Sequence, residues 1–157
     1  GQFRRKLGTG LFIVACLWMS RHKLLSVLRP NRPVPSTTMS RINACEGKAM
    51  CGVAYIAPWC PACNQLTPFF QSVAKLGMLH HGNYAAVVVV GRGRDAAENT
   101  AKAQEIGSEA IVDTDGRLHD GLAIDRYPSF IVFDQKGVIK LRDQAAMSWM
   151  EREILGP

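Results

Sequence analysis

No carboxylate occurs before Glu46, and no apolar run reaches the ~20 residues that a helix needs to cross a hydrocarbon core. The first absence locates the charge. Residues 1–45 hold eight bases (Arg4, Arg5, Lys6, Arg21, Lys23, Arg29, Arg32, Arg41) and no acid, so that stretch carries +8 of a chain whose formal net charge is +6. The remaining eleven Lys and Arg against thirteen Asp and Glu leave a body at −2, which shows no basic face for a nucleic-acid backbone. Nucleic acid is therefore not an expected partner. Only 20% of residues are charged while 47% are hydrophobic, which excludes wholesale disorder. At 157 residues the chain has room for one ordinary domain, and it contains no internal repeat or low-complexity tract.

The second absence bounds the N-terminal arm. Leu11 to Met19 is uninterruptedly apolar with bases on both sides, but the run 7–20 is fourteen residues, short of a full span unless Arg21 and Lys23 snorkel and Leu24 to Leu28 help. A secretory leader would need a small-x-small cleavage site, which the run lacks, and Ile13-Val14-Ala15-Cys16 resembles a lipoprotein box but leads into bulky Leu17-Trp18-Met19. The arm, residues 1–28, is expected to contact a membrane or a membrane protein through residues 7–28, with a plain docking helix as the alternative. Residues 29–49, with Pro30, Pro33 and Pro35, read as a proline-rich linker.

From residue 50 the pattern alternates. Strands are predicted over 51–57, 84–90, 110–113, 129–133 and 138–141, and helices over 60–76, 95–106 and 143–155, with Asp95 as an N-cap. Turns fall at Asp115-Gly116 and at 134–137. The fold class is α/β: a mixed central sheet flanked by helices, in a domain over 50–157, preceded by the apolar and basic helical arm.

Trp59-Cys60-Pro61-Ala62-Cys63 lies where the first of these strands ends and the long helix begins. Unpaired N–H groups and the helix dipole favour negative charge there, and such sites lower a thiol pKa from ~8.5 to roughly 3.5–7.5. Pro61 suits the first helical position, and Cys63 returns one turn later toward Cys60, so the two can close a disulfide. Cys60 is expected as the exposed attacking thiol and Cys63 as the resolving one. The alternatives are inert core cysteines or a zinc half-site, for which Cys45, Cys51 and His80-His81 are poorly spaced.

Around these residues the sequence resembles the thioredoxin superfamily. Ala57-Pro58-Trp59-Cys60-Pro61-Ala62-Cys63 is similar to the active-site loop, Pro68 to the helix-kinking proline, and Tyr127-Pro128 to the cis-proline ahead of a strand. Residues 112–116 and 134–137 look more like membrane-anchored or secreted bacterial thioredoxins that service cytochrome c maturation and envelope disulfides. The resemblance implies a thiol-disulfide oxidoreductase with Cys60 and Cys63 catalytic, and Trp59, Pro61, Tyr127 and Pro128 at the substrate. It implies a protein partner bearing thiols or a disulfide, an upstream redox partner, and no metal or organic cofactor. Three positions depart from the pattern: Ala54 stands where a buried carboxylate is usual, Asn64 where a lysine is usual, and Tyr127 is bulkier than the common residue.

Cys45 and Cys51 are either two free thiols or a second disulfide, structural or relaying electrons to Cys60. A second bond would favour an oxidising compartment such as the bacterial periplasm, although the bases following the apolar run weigh slightly against exporting the body. The competing function is a noncatalytic thioredoxin-like subunit of a membrane-associated assembly, held by the arm.

Overall fold

A computed structural model describes residues 32–79 and 82–157, so the apolar arm at 1–28 and His80-His81 lie outside the described residues. Arg32–Pro157 is one compact unit. Its elements are α1 (Ser36–Met39), a 3-10 turn (Asn43–Cys45), β1 (Met50–Ile56), α2 (Pro61–Gln65), α3 (Thr67–Leu76), β2 (Tyr84–Val90), α4 (Ala96–Ile106) and β3 (Ile111–Val112). They continue through α5 (Arg117–Gly121), β4 (Ser129–Asp134), β5 (Ile139–Arg142), α6 (Asp143–Met150) and a closing π turn (Glu151–Leu155).

The five strands form one sheet in the order β3-β2-β1-β4-β5. β1 runs parallel to β2 with Val53 opposite Val87, and β2 runs parallel to β3. β4 lies antiparallel to β1 with Val53 opposite Ile131, and β5 antiparallel to β4. The sheet is therefore mixed, and the composition of β2 explains its position: the residues after Tyr84 are small or β-branched and buried on both faces, as a strand next to the centre requires.

Alternation along β1 divides the interior into two cores. Ala54 and Ile56 face Phe70, Val73, Trp149, Met150 and Ile154, which α3, α6 and the closing turn supply. Val53 and Tyr55 face Val34, Ile42, Leu118 and Leu122 on the other side. Within the stretch 29–49 read as a linker, the described residues 32–49 contribute Val34, Ile42 and Cys45 to the second core. Val34 is buried and its amide donates to the Gly137 carbonyl at 2.7 Å, Ile42 is fully buried, and α1 starts directly after Pro35. Prolines bar helix interiors but suit extended edges and helix starts, so Pro33 and Pro35 frame an ordered segment that closes one face of the sheet.

The helix predicted over 60–76 is divided at Leu66 into α2 and α3. Pro68 has no N–H to offer the Asn64 carbonyl, and the Thr67 hydroxyl donates to that carbonyl at 2.9 Å instead. α2 thus becomes a short separate turn whose N-terminus points out of the end of β1.

Candidate functional site

The C-terminal end of β1 carries Ala57-Pro58-Trp59 into Cys60, the N-cap of α2. Cys60 is extended (φ −79°, ψ 114°), Pro61 occupies the first turn at no cost in hydrogen bonds, and the Cys63 amide donates to Cys60 Sγ at 3.1 Å. Cys60 and Cys63 are joined by a disulfide across a Cα separation of 5.2 Å. Cys60 is only 3% exposed, against the expectation of an exposed thiol. Bonded to Cys63, its sulfur turns back over the first helical turn into the apolar cluster that also holds Cys63, while the neighbouring Trp59 is 54% exposed.

Two other loops meet this one. The Trp59 indole N–H donates to the Arg92 carbonyl after β2 at 2.7 Å, and its ring meets Tyr127 edge-on at 5.2 Å. Tyr127, half-buried, precedes Pro128 through a cis peptide. Trp59, Cys60, Pro61, Cys63, Tyr127 and Pro128 are thus gathered at one end of the sheet, with Pro61 exposed beside the disulfide.

Cys45 and Cys51 are bonded to each other across a Cα separation of 5.4 Å, at the opposite end of β1. From Cys51 to Ile56 the strand advances ~17 Å at about 3.3 Å per residue, so this pair does not exchange directly with Cys60. The electron relay weighed from sequence is thereby set aside for exchange within one chain.

On the cysteine side of β1, Ala54 is fully buried with Val88 and Phe130 as its sheet neighbours. A buried carboxylate does exist, on the other face. Asp113, 5% exposed, accepts from the Tyr55 hydroxyl at 2.8 Å and from the amides of Leu118 and His119 at 3.1 and 2.8 Å. Burial first, then the hydrogen bond and charge of Asp113, push the Tyr55 phenol well above its ordinary range. Gly91 makes room for this pair, since a Cβ there would collide with the Tyr55 hydroxyl.

Asn64 takes a cation from elsewhere in the chain. Lys102 of α4, 7% exposed, reaches across so that Nζ donates to Asn64 Oδ1 at 2.8 Å while pairing with Glu105 at 3.1 Å. A charge thus approaches α2 from a neighbouring helix where the resemblance places one within α2 itself. His119 Nε2 lies 2.8 Å from the Tyr127 hydroxyl. Sequence reading missed Tyr55, Lys102, Asp113 and His119 as parts of this end of the molecule. The stretch 112–116 marked the right loop, but nothing local shows that Asp113 caps α5. Among the described residues, no three His, Cys, Asp or Glu side chains come together as metal ligands.

No family model matches the chain, and no curated protein matches it. Solved structures do. The N-terminal domain of PilB from Neisseria gonorrhoeae aligns with a TM-score of 0.55 at 15% identity, over 77% of this chain and 93% of that one. MTB dsbF aligns at 0.51 and 22% identity, over 68% of this chain and 78% of that one.

The chain has the thioredoxin fold.

The thioredoxin domain of a thiol-disulfide oxidoreductase from Bacteroides vulgatus agrees, with a TM-score of 0.51 and 18% identity over 72% of this chain and 84% of that one. Within the thioredoxin fold, the Cys60–Cys63 turn occupies the end of the central strand and the start of the following helix, where N–H groups converge.

Proposed function

We propose that this protein is a thiol-disulfide oxidoreductase acting on protein substrates through Cys60 and Cys63. The observation that carries the reading is the placement of Cys60 Sγ at the N-cap of α2, where it accepts the Cys63 amide hydrogen. A thiolate at that sulfur keeps the hydrogen bond and faces the positive end of the helix dipole.

In the reducing direction the Cys60 thiolate attacks one sulfur of a substrate disulfide. The Cys60–substrate bond forms, and the other substrate sulfur leaves as a thiolate. Cys63, deprotonated, then attacks Cys60 Sγ and releases the second substrate thiolate, so that the substrate gains two electrons and Cys60–Cys63 becomes a disulfide. Run backward, the same steps oxidise a dithiol. The reduction potential of the couple sets the direction, and an upstream redox partner returns the pair to its working state. Tyr127 and Pro128 position the substrate backbone, Pro128 having no N–H to compete, while Trp59 shields one side of the mixed disulfide.

The Cys45–Cys51 bond favours an oxidising compartment such as the bacterial periplasm. Residues 7–28 supply the contact with a membrane or membrane protein. Among the described residues, no helix is long and apolar enough to cross a membrane.

Cys63→Ser tests the mechanism because it leaves the first step intact and removes the second. In an extract it accumulates mixed disulfides through Cys60 that dithiothreitol releases, and Cys60→Ser/Cys63→Ser accumulates none. Absence of adducts with Cys63→Ser, together with a wild type that exchanges with no model disulfide, overturns the enzymatic reading in favour of a noncatalytic subunit.

A further inference from the structure

His119 is separated in sequence from the cysteines, yet it ends a continuous chain of contacts that begins at Trp59. The Trp59 ring meets the Tyr127 ring edge-on at 5.2 Å, and the Tyr127 hydroxyl reaches His119 Nε2 at 2.8 Å. His119 Nδ1 lies 3.2 Å from Asp120 Oδ1. With Nδ1–H donating to that carboxylate, the lone pair of Nε2 accepts the Tyr127 hydroxyl hydrogen, which orients both rings.

The imidazole is fixed from below as well. Its own backbone amide donates to Asp113, whose carboxylate also holds the Tyr55 hydroxyl, and the Tyr55 ring meets the imidazole edge-on at 5.6 Å. The imidazole and the Tyr127 ring stack at 6.1 Å and 25°. The imidazole and Tyr127 are buried or half-buried, Asp120 and Trp59 are exposed at the two ends of the chain, and its Trp59 end is the wall beside the disulfide.

We propose that His119 is a positioning residue that holds Tyr127 against Trp59 and so sets how a polypeptide disulfide is seated over Cys60 and Cys63. This rests on the oxidoreductase reading above. The substrate class follows from what the wall touches. A chain lying along Tyr127-Pro128 feels the position of the phenol ring, whereas a small disulfide that needs only the sulfurs depends on it less. His119 acts through Tyr127 and does not meet the reacting sulfurs.

The test compares pre-reduced wild type with His119→Phe, His119→Gln and Tyr127→Phe. Single-turnover exchange is measured with a disulfide-bonded peptide of about fifteen residues and with 5,5′-dithiobis(2-nitrobenzoate). His119→Phe keeps a ring of similar shape and the backbone bond to Asp113 but loses the bond to Tyr127. It is expected to raise the half-saturating peptide concentration roughly three- to tenfold, the range of one hydrogen bond's net contribution, and to raise that for the small disulfide less. His119→Gln, whose amide reaches the place of Nε2, restores most of the affinity. Tyr127→Phe combined with His119→Phe costs less than the product of the two single effects.

Equal losses on both disulfides, failure of Gln to rescue, or fully multiplicative single effects overturn the proposal. A wild type that exchanges with neither disulfide overturns the oxidoreductase reading itself, a result seen before any variant is compared.

Discussion

Asp113 and Tyr55 form a buried polar pair beside the site. A carboxylate 5% exposed is tolerable because the Tyr55 hydroxyl and two amides of α5 donate to it. Tyr55→Phe removes one donor and leaves a buried acceptor short, at a cost of about 1–3 kcal/mol in unfolding free energy. The phenol also carries a pH signature. Its folded pKa is raised, so the fold favours the neutral form. That stabilisation is complete below the unfolded value of about 10, and it is lost above that as the unfolded chain ionises first. Urea midpoints should therefore show a gap between wild type and Tyr55→Phe at pH 8 that narrows toward pH 11. A gap constant with pH would mean that the phenol does not titrate differently in the two states.

α3 and β2 are held closer than any side chain permits. Gly77 caps α3 in an ordinary helical conformation (φ −62°), so a Cβ is acceptable to its backbone, but the atom would run into the Ala86 carbonyl of β2. The two elements are tied there by the Ala86 amide donating to Gly77 at 2.9 Å. Gly77→Ala must push α3 from the sheet, and overpacking of this kind costs about 1–3 kcal/mol, measurable as a lowered thermal midpoint. An unchanged midpoint would show that the helix slides freely. At this scale, much was legible in advance. β1, β2 and β4 announce themselves by runs whose two faces are both apolar, and α4 by the Asp95 cap that accepts the Glu98 amide at 2.8 Å. The disulfide turn was legible because Cys-Pro-x-Cys after a strand is a local signal. The segment from Val34 to Cys45 was not, since its prolines suggest looseness and only the distant Gly137 and the sheet face reveal its order. Nor was α5, whose N-cap is Gly116 and whose capping carboxylate sits outside the helix at Asp113.

The two disulfides lie at opposite ends of β1. Cys60–Cys63 sits where α2 offers its N–H groups, which favour the reduced thiolate, whereas Cys45–Cys51 ties the segment that covers the second core to the start of β1. Cys51 is 1% exposed and Cys45 8%, with Cys51 on the face that holds Val53 and Tyr55. A thiolate leaving Cys51 would be released into that apolar surrounding, so the bond resists exchange. Its contribution is to restrain the unfolded chain. For residues six apart, loop closure is worth about 2 kcal/mol in the chain-entropy account. Cys45→Ser/Cys51→Ser is accordingly expected to lose about that much unfolding free energy, read from urea midpoints. The rate at which pre-reduced protein exchanges with a peptide disulfide through Cys60 should stay within twofold of wild type, because ~17 Å of strand separates the two ends. A fall of tenfold or more in that rate, in a variant still folded at the assay temperature, would show that the second pair takes part in electron transfer after all.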